Sequence, residues 1–188
     1  EQARADAPRL DDIQLLLAAA YAAAGKRDEA RESANAFIGS NRFASIAYHK
    51  LSFSYIRMDA DRERLFDLFS RAGFPDWPFD FRGDERNRLS GDEISGLVLG
   101  RTLRGRVQSG SPAIMQTGKN GEWAFRSTTL LMTGTAFVSD NKLCQLSDSL
   151  VALGRSDCGP VYRLNPSESE YKYVYVNATN IFQFSPQN

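Results

Sequence analysis

Through the first part of the chain, apolar residues recur at helical spacing, as in Leu65, Leu68 and Phe69. The segment from about Asp61 to Ala72 therefore reads as a helix with one buried face. From Gly100 the pattern changes to short runs of β-branched and aromatic residues separated by polar turns. These predict eight strands: Arg101–Val107, Ala113–Thr117, Gly121–Arg126, Leu130–Val138, Lys142–Leu146, Val161–Leu164, Tyr171–Val176 and Ile181–Phe184. Lys119-Asn120-Gly121 and Ser139-Asp140-Asn141 are compact hairpin turns. With no helical pattern between the strands, the second half is expected to be an antiparallel meander, closed or nearly closed as a barrel. Composition agrees with the division. Residues 1–89 hold 16 Ala and 4 Gly, and residues 90–188 hold 5 Ala and 10 Gly; Ala favours helix because it loses no side-chain entropy there.

The helical part contains a repeat. Leu17, Ala18 and Tyr21 recur 34 residues later as Leu51, Ser52 and Tyr55. This period resembles that of the tetratricopeptide repeat, a helix-turn-helix unit that buries its apolar faces against its neighbours. Copy one has Gly25 at the turn, Asp28-Glu29-Ala30 opening the second helix, and Phe37 further on. Copy two is degenerate, with Asp59 in place of the turn glycine and Arg64 in place of a small residue. Two repeats make a short solenoid, so further repeats are expected before Glu1, or the β half caps the stack.

The expected organisation is α+β: helical repeats over 1–75, a packed linker over 76–89, and a β domain with a short leading helix over 90–188. Two prolines and Trp77, Phe79 and Phe81 mark the linker. Ser90 and Glu93 form a capping-box pattern, which starts a helix running to about Leu99. Arg82-Gly83-Asp84 spells an integrin-binding tripeptide, read here as a chance match.

Charge and chemistry narrow the function. The chain of 188 residues carries 23 basic and 23 acidic side chains, so no basic surface points to nucleic acid. The longest apolar run, Leu15 to Ala24, is too short to span a bilayer. There is no signal-peptide pattern and the first residue is Glu1, so the chain is expected to be a piece of a longer one. His49 is the only histidine, which leaves zinc without a ligand set and nucleophilic catalysis without a base. No phosphate loop or dinucleotide fingerprint is present, and the acidic pairs fall in turns or at helix starts. No cofactor, metal or catalytic residue is expected. Cys144 and Cys158 either form a disulfide, which would indicate an oxidising compartment, or sit as two reduced core thiols; the disulfide is the preferred reading.

His49, Phe53 and Arg57 are spaced i, i+4, i+8 and so share one helix face. On a repeat array that face lines the groove where a protein or peptide partner docks, with Leu15, Ala19 and Ala22-Ala23 as its floor in copy one. The alternative is a face covered by the β domain. Arg104 and Arg106 share a strand face and form a weak anion-site candidate. Trp123, Tyr162, Tyr173 and Tyr175 are core or rim aromatics, some of which would line a barrel mouth.

The last segment carries a family resemblance. Leu143-Cys144, Cys158-Gly-Pro-Val-Tyr-Arg163, Asn165-Pro166, Glu170-Tyr171, Tyr173-Val174 and Phe184-Ser185-Pro186 occur in order. Together with Ser70-Arg-Ala-Gly-Phe-Pro75 and the stretch Leu89 to Gly105, they resemble the C-terminal region of rhizobial and related alphaproteobacterial class III adenylate/guanylate cyclases that carry tetratricopeptide repeats. The resemblance implies a non-catalytic sensory or protein-interaction region on the periplasmic side of a membrane-anchored parent, with the cyclase domain outside these residues. The alternative is a lipocalin-like periplasmic protein that holds a small molecule in its β half.

Overall fold

A computed structural model of the protein describes residues 11–53, 56, 58–147 and 156–187. The chain forms two compact units, Glu1–Phe81 and Arg82–Asn188. The first is helical and the second is an antiparallel β structure with, among the described residues, one α-helix, so the class is α+β.

In the first unit, α1 (Asp11–Ala23), α2 (Arg27–Ser40), α3 (Ile46–Ser52) and α4 (Asp59–Ala72) enclose one core. Leu15, Ala18, Ala19 and Ala22 of α1 face Ala30, Ser33, Ala34 and Phe37 of α2, both sets at i, i+3, i+4, i+7. The small side chains let these helices approach closely. Two helices end the same way. After α1 the Lys26 N–H donates to the Tyr21 carbonyl and Gly25 N–H to Ala22; after α4 the Phe74 N–H donates to Phe69 and Gly73 N–H to Ser70. Both Gly25 (φ 75°) and Gly73 (φ 97°) take the left-handed conformation this ending requires. Phe74 then folds back onto Phe69, ring centroids 5.3 Å apart. Besides α2, α1 packs on α4, and the Arg71 guanidinium of α4 donates to the Ala22 carbonyl (2.9 Å).

The segment expected as a linker divides between the units. Phe79 packs edge-on against Phe43 of the first unit. Leu89 N–H donates to the Val161 carbonyl of the second, and the ring of Tyr162 lies where any side chain at position 83 would have to go. Asp84, the acidic end of the Arg-Gly-Asp tripeptide, is bound to the Arg86 guanidinium (2.7 Å).

The second unit opens with α5 (Gly91–Val98), held by the capping box of Ser90 and Glu93 that the sequence predicts. Nine strands follow: β1 (Thr102–Val107), β2 (Pro112–Thr117), β3 (Glu122–Ser127), β4 (Leu131–Ser139), β5 (Lys142–Ser147), β6 (Asp157–Gly159), β7 (Val161–Arg163), β8 (Tyr173–Val176) and β9 (Ile181–Pro186). All pairings are antiparallel, in the order β6-β5-β4-β3-β2-β1-β9-β8-β7. The two edge strands, β6 and β7, are consecutive in the chain and separated only by Pro160. One extended segment thus pairs with β5 through its first half and with β8 through its second, nearly closing the sheet into a barrel. Proline has no N–H to give a ladder, which suits the residue where the segment changes partners. Gly159 is required at this seam, because a Cβ there would fall on the Val176 carbonyl oxygen.

Leu103, Met115, Phe125, Leu143, Val161, Tyr175, Phe182 and Phe184 fill the barrel, joined by Ile94 and Val98 of α5. The helix sits at the end of the barrel marked by the β4–β5 turn, where Asn141 accepts a hydrogen bond from Gly91 N–H (2.7 Å). Thr117 donates to the carbonyl of Val98. Among the described residues no helix is long and apolar enough to cross a membrane.

Candidate functional site

At the other end of β5 the barrel interior is left partly unfilled. β3 contributes Trp123 and Phe125 to this cup, β4 Met132, and β5 Gln145 and Ser147. Asp157 of β6, Tyr175 of β8, Phe182 of β9 and the turn residues Asn177, Thr179 and Asn180 complete it. The cavity measures about 50 Å³, room for a few water-sized groups. Strand register brings the walls together: Trp123 is opposite Gly134, Gly134 opposite Ser147, and Gln145 opposite Asp157.

Asp157 is 6% exposed. One carboxylate oxygen accepts the Ala178 N–H (2.9 Å) and the other the Thr179 hydroxyl (3.1 Å). Burial pushes its pKa up to about 6, against the opposing pull of these two hydrogen bonds. The group is therefore mostly ionised at neutral pH, and among the described residues no lysine, arginine or histidine lines the cup beside it. Tyr175 is also buried; its hydroxyl donates to the Leu143 carbonyl (3.1 Å) and accepts from the Asn177 amide (3.3 Å). Burial, with the Asp157 charge added, holds this phenol well above its ordinary pKa.

Trp123 is 4% exposed, and its indole N–H has no hydrogen-bond partner among the described residues. An unmet buried donor costs about 1–3 kcal/mol. That cost is recovered when a ligand or water supplies an acceptor.

Cys144 and Cys158 are joined in a disulfide and occupy directly opposed positions on β5 and β6. The bond ties together the strands carrying Gln145, Ser147 and Asp157. The preferred sequence reading of this pair is therefore correct, and no free cysteine is present among the described residues.

The groove residues are placed differently from the sequence expectation. His49 is 1% exposed and lies within the first unit's own core, its ring 4.9 Å from Phe69, 5.3 Å from Phe74 and 5.5 Å from Phe37. Phe53 is half-buried beside it, 5.8 Å away. Arg57 lies outside the described residues. Leu15, Ala19 and Ala22, read as a groove floor, are packing positions between helices. The shared helix face exists, but it turns inward, where the aromatic residues Phe37 of α2 and Phe69 of α4 pack against it. Burial among these rings strips an imidazolium of its water, and this desolvation lowers the His49 pKa to about 4.

The anion-site candidate is also altered: the Arg106 guanidinium is engaged by Glu170 (3.3 Å), by Gln183 and by the ring of Tyr171. Of the four aromatics considered for a barrel mouth, Trp123 and Tyr175 line the cup. Tyr162 packs over Gly83 and Tyr173 stacks on Phe184. Sequence reasoning missed Asp157, because Ser-Asp-Cys-Gly has the composition of a turn. The only signal near it was the cysteine beside it. Among the described residues no group of three or more His, Cys, Asp or Glu comes together to hold a metal.

Compared with protein-family models, curated proteins and solved structures, the chain matches none.

Proposed function

We propose that this chain is a non-catalytic sensory region whose β barrel binds a small molecule in the cup around Trp123 and Asp157. The unpartnered indole N–H of Trp123, in a cavity it shares with a buried carboxylate, carries the reading. A core selected for stability alone would fill such a space with apolar side chains; polar groups without partners there cost free energy. The cup has the features of a ligand site: apolar and aromatic walls with a few fixed polar groups.

The test follows the indole N–H resonance of Trp123 in the full chain while small polar compounds are added. A saturable shift of that resonance supports the reading. A library of small amines, alcohols and carboxylic acids that leaves it unmoved removes the reading.

The sensory role rests on the ordered motifs that resemble the C-terminal region of alphaproteobacterial cyclases. In such a parent, ligand binding on the periplasmic side changes cyclase output only if the ligand has different affinity for two arrangements of the whole chain. The disulfide is compatible with that compartment. The rival role, a free small-molecule carrier, uses the same cup. The gene upstream separates them: a cyclase domain and a membrane span place the cup in a sensor, whereas a bare signal peptide places it in a carrier.

A further inference from the structure

The reading that the cup binds a small molecule leaves the ligand's chemical class open, and the groups lining it narrow that class. Among the described residues Asp157 is the one carboxylate there, and the other ionisable lining group, Tyr175, is a neutral phenol committed to Leu143 and Asn177. Gln145 on β5 and the turn residues Asn177, Thr179 and Asn180 that share the cup with Asp157 are uncharged. An anion entering this space would meet a like charge and, among the described residues, no cation to offset it.

Asp157 also has capacity to spare. A carboxylate offers about four lone-pair sites, and Ala178 and Thr179 use one on each oxygen. The remaining sites suit a donor that carries its own positive charge. The same cup is lined by the aromatic side chains of Trp123, Phe125 and Phe182, and an aromatic face attracts a cation electrostatically. The unpartnered Trp123 N–H, in turn, seeks an acceptor.

We propose that the cup takes a small organic cation, a primary ammonium of about four heavy atoms, with its charge on Asp157 and, where it carries a hydroxyl, with that oxygen accepting from Trp123. This proposal rests on the small-molecule reading and adds the charge class to it.

Three probes of nearly equal size separate the two claims: ethanolamine, which is cationic; ethylene glycol, which is neutral; and glycolate, which is anionic. Each is titrated into the full chain at pH 7.5 while the Trp123 indole resonance is followed. The expected result is saturable binding of ethanolamine, at least tenfold weaker binding of ethylene glycol, and none of glycolate. Equal binding of ethanolamine and ethylene glycol, or tighter binding of glycolate, overturns the cation inference and leaves the small-molecule reading standing. A resonance unmoved by all three overturns the inference, while the wider library decides the reading itself.

The residue assignment has its own readouts. Asp157→Asn keeps the size of the side chain and is expected to abolish the preference for ethanolamine over ethylene glycol; a retained preference overturns the role of Asp157. Should that variant fail to fold, the unmodified chain still decides. Ethanolamine stays cationic throughout, so its affinity is expected to fall as pH drops from 7.5 to 5, when Asp157, with a pKa of about 6, gains its proton. An affinity constant across that range overturns the proposal.

Discussion

The hydroxyl of Tyr175 on β8 reaches across the inside of the barrel to the backbone carbonyl of Leu143 on β5, 3.1 Å away. It also lies 3.4 Å from the carbonyl of Asp157 on β6. One phenol therefore braces, from within, the seam where the chain passes from one sheet edge to the other. Tyr175→Phe removes this brace and leaves a buried carbonyl short of a donor. The expected cost is about 1–2 kcal/mol, read from urea unfolding followed at the Trp123 indole resonance. A loss below a few tenths of a kcal/mol would mean that strand pairing alone closes the seam.

The disulfide acts on the same seam. Cys144 and Cys158 are 14 residues apart in sequence, and a loop of this size is stabilised by about 3 kcal/mol in the chain-entropy account. Reduction is expected to lower barrel stability by that order and to speed amide exchange along β6 first, since β6 has only three residues with which to hold β5. If exchange instead rises uniformly across all nine strands, the bond stabilises the barrel globally and not the seam.

His49 makes the helical unit sensitive to acid. Its pKa is about 4 when folded, against 6.5 for a solvated histidine such as the unfolded chain presents. Between these values the unfolded chain binds more protons. The contribution is fully present above pH 6.5 and is lost as pH falls toward 4, a loss approaching about 3 kcal/mol at 1.36 kcal/mol per pKa unit. Helix melting followed by circular dichroism should show the midpoint falling between pH 7.5 and 5. His49→Leu should flatten that dependence; an unchanged slope would assign it to other groups.

Asp157 acts in the opposite direction on the barrel. Its folded pKa of about 6 lies above the 3.8 of a solvated aspartate, so here the folded state binds more protons. This group's penalty is present above pH 6 and is relieved as pH falls toward 3.8. Asp157→Asn still accepts the Ala178 N–H and can donate to the Thr179 hydroxyl. The variant is expected to be more stable than the parent by about 1–3 kcal/mol at pH 8, the advantage vanishing by pH 4. Destabilisation at pH 8 would show that the charge itself holds the 177–180 turn.

The parts of the fold legible in the sequence were those decided by neighbours along the chain. Ser90 and Glu93 close their capping box within four residues, and Gly25 terminates α1 by its own backbone freedom. Eight of the nine strands were readable from runs of β-branched and aromatic residues between turns. β6 was not, because Asp-Cys-Gly has little intrinsic preference for a strand. It is extended because Cys144 holds Cys158 opposite it and Gln145 pairs with Asp157.

By itself, the sequence determined the change from helix to strand, the leading helix of the second unit, and the identity of the two cysteines. Local hydrogen bonding and side-chain entropy act over a few residues, so local patterns suffice for these. Only the tertiary structure decided which way shared faces point. Periodicity puts His49 and Phe53 on one side of a helix, but Phe37, Phe69 and Phe74 turn that side inward. The same holds for the cup: Trp123, Asp157 and Tyr175 come from three strands far apart in the chain. Barrel closure brings them together, and burial, a property of the surrounding fold, gives Asp157 its unusual chemistry.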